Sequence, residues 1–205
     1  MNWAERFVSF DTETTGFDSK ARIIELACVL FENGEPTETF ETYLLPPDVD
    51  WNDKNVLSAL EVNKINPKDL EGKPSFGEIF HHIYLAFNGA PVWVAHNAEF
   101  DLRMLDQEYG FYKGGAFPVK PEMACLCTMS LSRSIHPDGK RHRLEDTAAR
   151  WGVAQDGAHR AASDAIACGR ILSAMSKGHL PSDLAQVHEL QTQANASWNS
   201  RRGRR

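Results

Sequence analysis

The sequence has no apolar run of membrane-spanning length, and its first six residues lack the apolar core of a secretory signal peptide. Both absences argue against membrane insertion and secretion, so we expect a cytoplasmic protein. Cysteine is also scarce, and the four that occur form no CxxC pair and no zinc-finger spacing with histidine: Cys28, Cys125, Cys127 and Cys168. We therefore expect reduced thiols, not disulfides or a zinc site.

An excess of positive charge is missing as well, since the formal net charge at pH 7 is −6. The last 30 residues carry five basic and two acidic side chains, which leaves a net charge of −9 on the rest of the chain. Tight, non-specific binding along a duplex needs a basic stripe, so this mode of binding is disfavoured. Nucleic acid stays possible as a substrate, because carboxylates that bind cations account for part of the negative charge.

The sequence does contain an alternation of strand and helix patterns. Strand patterns occur at 7–10, 23–31, 37–45, 92–95 and 123–127, and helical patterns at 56–62, 76–87, 100–109, 128–135, 144–151 and 161–175. An Asn33-Gly34 turn joins the second and third strands as a hairpin. This order predicts a mixed α/β fold, and a length of 205 residues is enough for one domain with a sizeable core.

The first strand pattern ends in two acidic residues. The apolar run Phe7 to Phe10 is followed by Asp11 and Glu13, which point to the same side of an extended strand. Carboxylates this close repel each other, and a divalent ion such as Mg²⁺ or Mn²⁺ relieves the repulsion. A solvated strand end has the same composition, so this stretch alone leaves both interpretations open.

Two later stretches also place acidic residues beside short apolar segments. The strand pattern at 92–95 is followed by a polar segment that ends in Asp101, and His159 lies five positions before Asp164 at the start of a helical pattern. A helix turns by about 100° per residue, so His159 and Asp164 cannot share one helical face. We therefore place His159 in a loop and Asp164 in the first turn of the helix.

The three stretches DTETTG, HNAEFD and HRAASD, in this order and spacing, resemble the motifs of the DEDDh (DnaQ-like) 3′–5′ exonucleases. The resemblance covers about residues 7–175. It implies an RNase H-like fold: a mixed five-stranded sheet, with the second strand antiparallel to the others and helices on both faces. It also implies an exonuclease domain over residues 1–176. The remaining residues, 177–205, form a polar C-terminal extension, with a helix over 182–193 and a disordered, basic end as expectations.

The same resemblance assigns catalytic roles to five residues: Asp11, Glu13, Asp101, His159 and Asp164. Asp11, Glu13 and Asp164 are expected to bind the first of two Mg²⁺ or Mn²⁺ ions. Asp11, supported through water by Asp101, is expected to bind the second. His159 is the expected general base, since neutral imidazole accepts a proton near pH 7. Without the motif, a loop histidine that caps the next helix is the alternative for His159.

Five further residues are expected at the substrate: Thr14, Thr15, Phe17, Asn63 and Asn97. The threonines either contact the terminal nucleotide through backbone and hydroxyl groups or only stabilise the turn. Phe17 either stacks on a base or is a core or rim aromatic. The family usually has histidine where Asn63 stands, so the contact there stays open. Asn97 is expected to bond the turn backbone. For four basic residues, phosphate contact and simple solvent exposure are both compatible with the sequence: Lys140, Arg141, Arg143 and Arg160.

The resemblance therefore predicts a metal-dependent 3′–5′ exonuclease that releases nucleoside monophosphates from single-stranded or frayed ends. DNA is the preferred substrate by family analogy. One alternative keeps the chemistry and changes the substrate to RNA or very short oligonucleotides. The other is a proofreading or accessory subunit that acts mainly by binding a polymerase or nuclease complex, with its C-terminal extension as a docking segment.

Overall fold

A computed structural model of the protein describes residues 2–118, 124–138, 141–155 and 160–202, without the side chains of residues 201 and 202. The strands in this part are β1 (Arg6–Thr14), β2 (Ile23–Glu32), β3 (Glu35–Tyr43), β4 (Val92–Ala95) and β5 (Ala124–Cys127). The helices are α1 (Lys54–Asn63), α2 (Phe76–Phe87), α3 (Ala98–Lys113), α4 (Thr128–Ile135), α5 (Leu144–Arg150), α6 (Ala161–Ser176) and α7 (Leu184–Arg202). Among the residues described, we find no helix with both the length and the apolar character that crossing a bilayer requires.

The five strands form one mixed sheet in the order β3-β2-β1-β4-β5. β2 runs antiparallel to β1 and β3, while β1, β4 and β5 are parallel to one another. The hairpin between β2 and β3 turns at Asn33 (φ 53°) and Gly34 (φ 90°), and positive φ at both central residues is the signature of a type I′ turn. The predicted topology is confirmed.

Each face of the sheet is covered by helices, as predicted. Val8 and Phe10 of β1 pack with residues of α2 and α3 in one apolar core. Phe7, the alternate residue, packs on the opposite face with residues of α4 to α7. Because side chains alternate along a strand, the odd-numbered residues of β1 face α6. This alternation determines the side on which Asp11 and Glu13 lie.

Helix α6 approaches the sheet closely at Gly169. A Cβ atom at this position would lie 2.2 Å from the ring of Phe31 on β2, so the helix can sit here only without a side chain. The apolar positions of α6 that the sequence pattern placed inward are buried, Cys168 among them. All four cysteines are unpaired in the structure.

Helix α3 is longer than its sequence pattern predicts. It begins at Ala98 and ends at Lys113, whereas the prediction covered 100–109 and used Gly110 as the stop. Tertiary packing outweighs the low helix propensity of Gly110. In the extra turn Tyr112 lies over Gly77 of α2, where a Cβ atom would come within 2.5 Å of the ring.

Helix α7 also extends past its predicted end at residue 193 and continues to Arg202, into the stretch expected to be disordered. It packs on α4 and β5: the Gln191 side chain accepts a hydrogen bond from the Cys127 backbone (2.7 Å) and donates one to the Cys125 carbonyl (3.3 Å). Val187 is fully buried. Residues 203–205 lie outside the described part of the chain, and the domain division at residue 176 stays a prediction.

Candidate active site

Three predicted carboxylates meet where β1 ends against α6. Asp11 and Glu13 come from the side of β1 that faces α6, and Asp164 comes from the first turn of α6. One carboxylate oxygen of each residue lies within 4.8 Å of the others. The strand alternation and the helix start inferred from the sequence bring these groups together.

Asp101 approaches the same point from α3. It lies in the first helical turn, is 2% exposed, and accepts two hydrogen bonds on Oδ1 from Thr12: one from the backbone nitrogen (3.1 Å) and one from the hydroxyl (2.7 Å). Burial is the largest cause of the raised pKa of Asp11, and the negative charge of Asp101 is the next largest. Asp101 is therefore held in a fixed orientation beside the cluster.

The pKa values of the cluster are raised, and burial is the main cause. Burial raises the pKa of Asp11 well above its ordinary value and that of Glu13 to about 8, with further rises from the neighbouring negative charges. Burial also raises the pKa of Asp101 to about 7, against the opposing effect of its hydrogen bonds from Thr12. Without a cation, Glu13 retains its proton at neutral pH.

The donor set of the cluster fits a divalent metal ion. Oxygen ligands about 2.1 Å from Mg²⁺ are at most about 4.2 Å apart, so small side-chain rotations bring Asp11, Glu13 and Asp164 to ligating distance. Hard carboxylate oxygens are the ligands that Mg²⁺ and Mn²⁺ prefer. A cation would also compensate for the negative charges that raise the pKa values.

An open groove of about 1000 Å³ begins at this cluster. Its lining includes Glu13, the segment 14–18, the loop residues 48–50 and the exposed side of α1. Four of the five residues predicted to meet the substrate line it: Thr14, Thr15, Phe17 and Asn63.

The turn after Glu13 is braced by its own polar groups. The Thr14 hydroxyl donates to the Gly16 carbonyl (2.7 Å), and the Thr15 hydroxyl accepts from the Arg22 backbone nitrogen (2.9 Å). Asn63 is buried and its amide donates to the Thr14 carbonyl (2.9 Å). Asn63 therefore joins α1 to the turn, and both are part of the lining of the groove.

Arg22 ties this turn to α3 through a buried ion pair. Its guanidinium donates to both carboxylate oxygens of Glu108 (2.7 and 3.0 Å), and Glu108 also accepts from the Ile23 backbone nitrogen (2.9 Å). A third guanidinium nitrogen donates to the Pro47 carbonyl (3.0 Å), next to the loop that lines the groove. Arg22 thus connects the turn to α3 and to the residue that precedes the groove-lining loop 48–50.

Phe17 is an exposed aromatic at the edge of the groove. It is 81% exposed, and its ring centroid lies 5.6 Å from that of Phe100. Arg103 lies over the Phe100 ring and donates to the Phe17 carbonyl (3.2 Å). This position rules out a core residue and leaves the face of Phe17 open to a stacking partner.

Asn97 shapes the site through its backbone. It has a left-handed conformation (φ 70°) at the start of α3, and its side chain makes no cap hydrogen bond there. Its carbonyl accepts from the Phe100 nitrogen (2.8 Å). The preceding residue, His96, bonds through its two ring nitrogens to the Thr128 hydroxyl and the His142 carbonyl (both 2.9 Å). These contacts fix the end of β4.

His159 and Lys140 lie outside the described residues. Arg160, a candidate phosphate contact, donates from Nε to Glu25 (3.0 Å) and pairs with Glu41 (3.5 Å). Among the other basic candidates, Arg143 pairs with Glu145 at the surface (3.6 Å).

Sequence reasoning missed two side chains of this site. Glu25 is fully buried on β2, directly opposite Glu13, and its signal was a single acid inside an apolar strand pattern. Gln155 donates to Asp164 Oδ1 (2.7 Å) from the loop before α6, and no sequence pattern marks it.

The chain is similar in sequence to known exonucleases. A sequence-family model named RNase_T and described as exonuclease matches residues 8–172. The chain is 32% identical to a DNA polymerase III subunit epsilon of Treponema pallidum, over 84% of this chain and 77% of that protein. It is 33% identical to the 3′-5′ exonuclease DinG of Bacillus subtilis, over 82% of this chain. The chain spans only 11–17% of the length of the first four curated relatives that it matches.

A solved structure shares the fold. It is described as exonuclease X in complex with 5′ overhanging duplex DNA, and it superposes with a TM-score of 0.67 at 23% sequence identity. The match covers 90% of this chain and 99% of the other. The RNase H-like architecture is thereby confirmed.

Proposed function

We propose, from the premise that this chain belongs to the DnaQ-like exonuclease family, that it hydrolyses nucleic acid from the 3′ end and releases nucleoside monophosphates. One observation carries the proposal: carboxylates from β1 and α6 converge at one end of an open groove. Glu13, one of these carboxylates, is part of the lining of the groove. Single-stranded or frayed DNA ends are the proposed substrate. Support comes from a relative named as a DNA polymerase subunit and a structural neighbour described with DNA.

Two Mg²⁺ or Mn²⁺ ions are the proposed cofactors. Asp11, Glu13 and Asp164 would hold the first, and Asp11 with the support of Asp101 the second. Bound there, such ions supply an activated water molecule and stabilise the leaving 3′-oxygen. The chain's own contribution is to hold four carboxylates in place, with Thr12 fixing Asp101 before any ion binds.

The groove would position the terminal nucleotide beside these carboxylates. The braced turn at Thr14 and Thr15 presents backbone groups at the end of the groove, where a free 3′-hydroxyl can be held. The exposed ring of Phe17 is available to stack on a terminal base, and stacking of this kind tolerates every base. This arrangement favours unpaired ends.

The polarity can be tested with a 5′-labelled single strand. We expect a descending ladder of labelled products in Mg²⁺, no products in EDTA, and strong slowing when the 3′ end is blocked. Early release of the 5′ label as a mononucleotide would contradict the assigned direction. Matched all-deoxy and all-ribo strands decide between DNA and RNA, and faster cleavage of the ribo strand would favour the RNA alternative.

His159 is proposed as the general base because it holds the histidine position of the HRAASD motif. Neutral imidazole near pH 7 would accept the proton of the attacking water. His159→Ala should lower turnover by about 10²–10⁴-fold and keep metal affinity. Asp164→Ala should lose both turnover and metal affinity.

Calorimetric titration of Mn²⁺ into both variants, with turnover measured at saturating Mg²⁺, separates the two roles. His81→Ala, which changes an exposed histidine on α2, is the matched control and should behave as the wild type. Loss of metal binding in His159→Ala as severe as in Asp164→Ala would make His159 a ligand or a structural residue.

A polymerase partner is proposed as a second feature of the function. The relative from Treponema pallidum is named as a subunit of DNA polymerase III, and this chain covers most of it. Co-purification with a replicative polymerase, with and without residues 178–205, tests the association. Full catalysis by the isolated chain, with no polymerase retained in either form, would favour a stand-alone nuclease.

A further inference from the structure

Glu25 is a fully buried acid within the apolar stretch 23–31 of β2. Its exposed fraction is 0%, and it lies directly opposite Glu13 in the pairing of β1 with β2. Opposed residues of paired strands point to the same face, so Glu25 faces the helix that carries Asp164. A buried carboxylate needs strong partners, and those partners indicate its role.

Both oxygens of Glu25 bind the start of α6. Oε1 accepts from Nε of Arg160 (3.0 Å), and Oε2 accepts from the backbone nitrogen of Ala161 (3.2 Å). Ala161 is the first residue of α6, and N–H groups in the first turn of a helix have no partner within the helix. Glu25 supplies that partner from a neighbouring strand, and its negative charge suits the positive end of the helix.

The anchored turn is the one that presents Asp164. The Asp164 backbone nitrogen donates to the Arg160 carbonyl (3.0 Å), so the residues that Glu25 holds begin the turn on which Asp164 lies. Glu25 is absent from the group of carboxylates whose oxygens converge, which consists of Asp11, Glu13 and Asp164. Its oxygens are instead committed to nitrogen donors.

We infer that Glu25 is a positioning residue: it fixes the amino end of α6 and so sets the place of the Asp164 carboxylate relative to Asp11 and Glu13. The inference rests on the proposed function, since it concerns the metal-binding side of the same site. It predicts that the charge and reach of Glu25 affect metal affinity even though Glu25 does not ligate the ion.

Glu25→Gln is the first test, because it keeps the size of the side chain. The amide nitrogen cannot accept a hydrogen bond, so either Arg160 or Ala161 loses its partner. Outer-shell changes of this kind cost about 10–100-fold in metal affinity, and we expect the Kd for Mn²⁺ to rise by that factor in calorimetry without nucleic acid. Amide exchange at residues 161–164 should accelerate, while the KM for single-stranded DNA should stay within about twofold of wild type.

Two further variants make the test specific. Glu41→Gln removes the longer contact to Arg160 and leaves the backbone of Ala161 capped, so it should bind Mn²⁺ within about twofold of wild type. Glu25→Asp keeps the charge and both oxygens but shortens the reach. It should give a smaller loss of Mn²⁺ affinity than Glu25→Gln, and it remains informative if Glu25→Gln does not fold.

Wild-type Mn²⁺ affinity and unchanged amide exchange in both Glu25 variants would overturn the inference. A loss of Mn²⁺ affinity in Glu41→Gln as large as that in Glu25→Gln would also overturn it. The charge pairing with Arg160, and not the bond from Ala161 to Glu25, would then be responsible. A wild-type protein that binds Mn²⁺ but cleaves neither DNA nor RNA would refute the proposed function. The Mn²⁺ titrations would still decide the role of Glu25.

Discussion

In the metal-free protein, Glu13 should make the fold less stable as the pH rises. Burial raises its pKa from 4.5 to about 8, and the charges of Asp164, Glu25 and Asp101 add to the effect. Between these two pKa values the folded state holds a proton that the unfolded chain has lost. The free energy of unfolding therefore falls with increasing pH over this range, and the cost is absent below the unfolded pKa and largest above pH 8.

The magnitude follows from the two pKa values. A carboxyl with a pKa of about 8 when folded and about 4.5 when unfolded lowers the free energy of unfolding by about 2 kcal/mol between pH 6 and pH 8. Glu13→Gln cannot titrate and should lack this part of the pH dependence. Glu38→Gln, which removes an exposed charge on β3, is the matched control and should retain it.

Urea unfolding in EDTA at pH 6 and pH 8 measures the difference for the three proteins. The loss of stability between the two pH values should be about 2 kcal/mol smaller in Glu13→Gln than in the wild type and Glu38→Gln. Added Mg²⁺ should stabilise the wild type more at pH 8, because ligating carboxylates must be deprotonated. Equal pH dependence in all three proteins would refute the assignment of a raised pKa to Glu13.

Three further changes probe the site, the helix and the groove. Asp11→Ala should abolish turnover and leave the metal-free melting temperature unchanged or higher, since a repelling charge is removed; full activity would contradict the site. Gly169→Ala should cost about 1–3 kcal/mol in urea unfolding because its Cβ meets the ring of Phe31, and wild-type stability would show that α6 can shift freely. Glu108→Gln should cost about 3 kcal/mol by breaking the buried pair with Arg22, and should raise the KM for oligonucleotides more than it lowers kcat; an unchanged KM would separate this pair from the groove.

The sequence was sufficient to predict that five strands form and that the acidic residues converge. Period-two alternation placed Asp11 and Glu13 on one side of β1, and the start of a helical pattern placed Asp164 in a first turn, as the structure has them. Such local periodicity survives folding because one face of each element is buried. The roles in catalysis and metal binding stay predictions.

Other features depend on contacts between distant segments, which local patterns do not record. Gly110 reads as a helix stop, yet α3 continues because Tyr112 packs over α2. The polar sequence of α7 gives no amphipathic signal, and the helix is held by side-chain bonds such as that of Gln191 to β5. Glu25 has its hydrogen-bond partners at the start of α6, far along the chain from β2, and no local pattern around Glu25 indicates them.

The contact of Gln191 with β5 also affects whether a strand from another molecule can pair with the edge of the sheet. A terminal strand with free backbone groups invites a strand from another molecule, which is a common start of aggregation. On β5 the Cys127 nitrogen and the Cys125 carbonyl are already taken by Gln191, so α7 occupies the place of an incoming strand. On the opposite side, β3 carries exposed Glu35 and Glu38, which repel such a strand by charge. The width of the sheet is thus limited on one side by a helix and on the other by electrostatic repulsion.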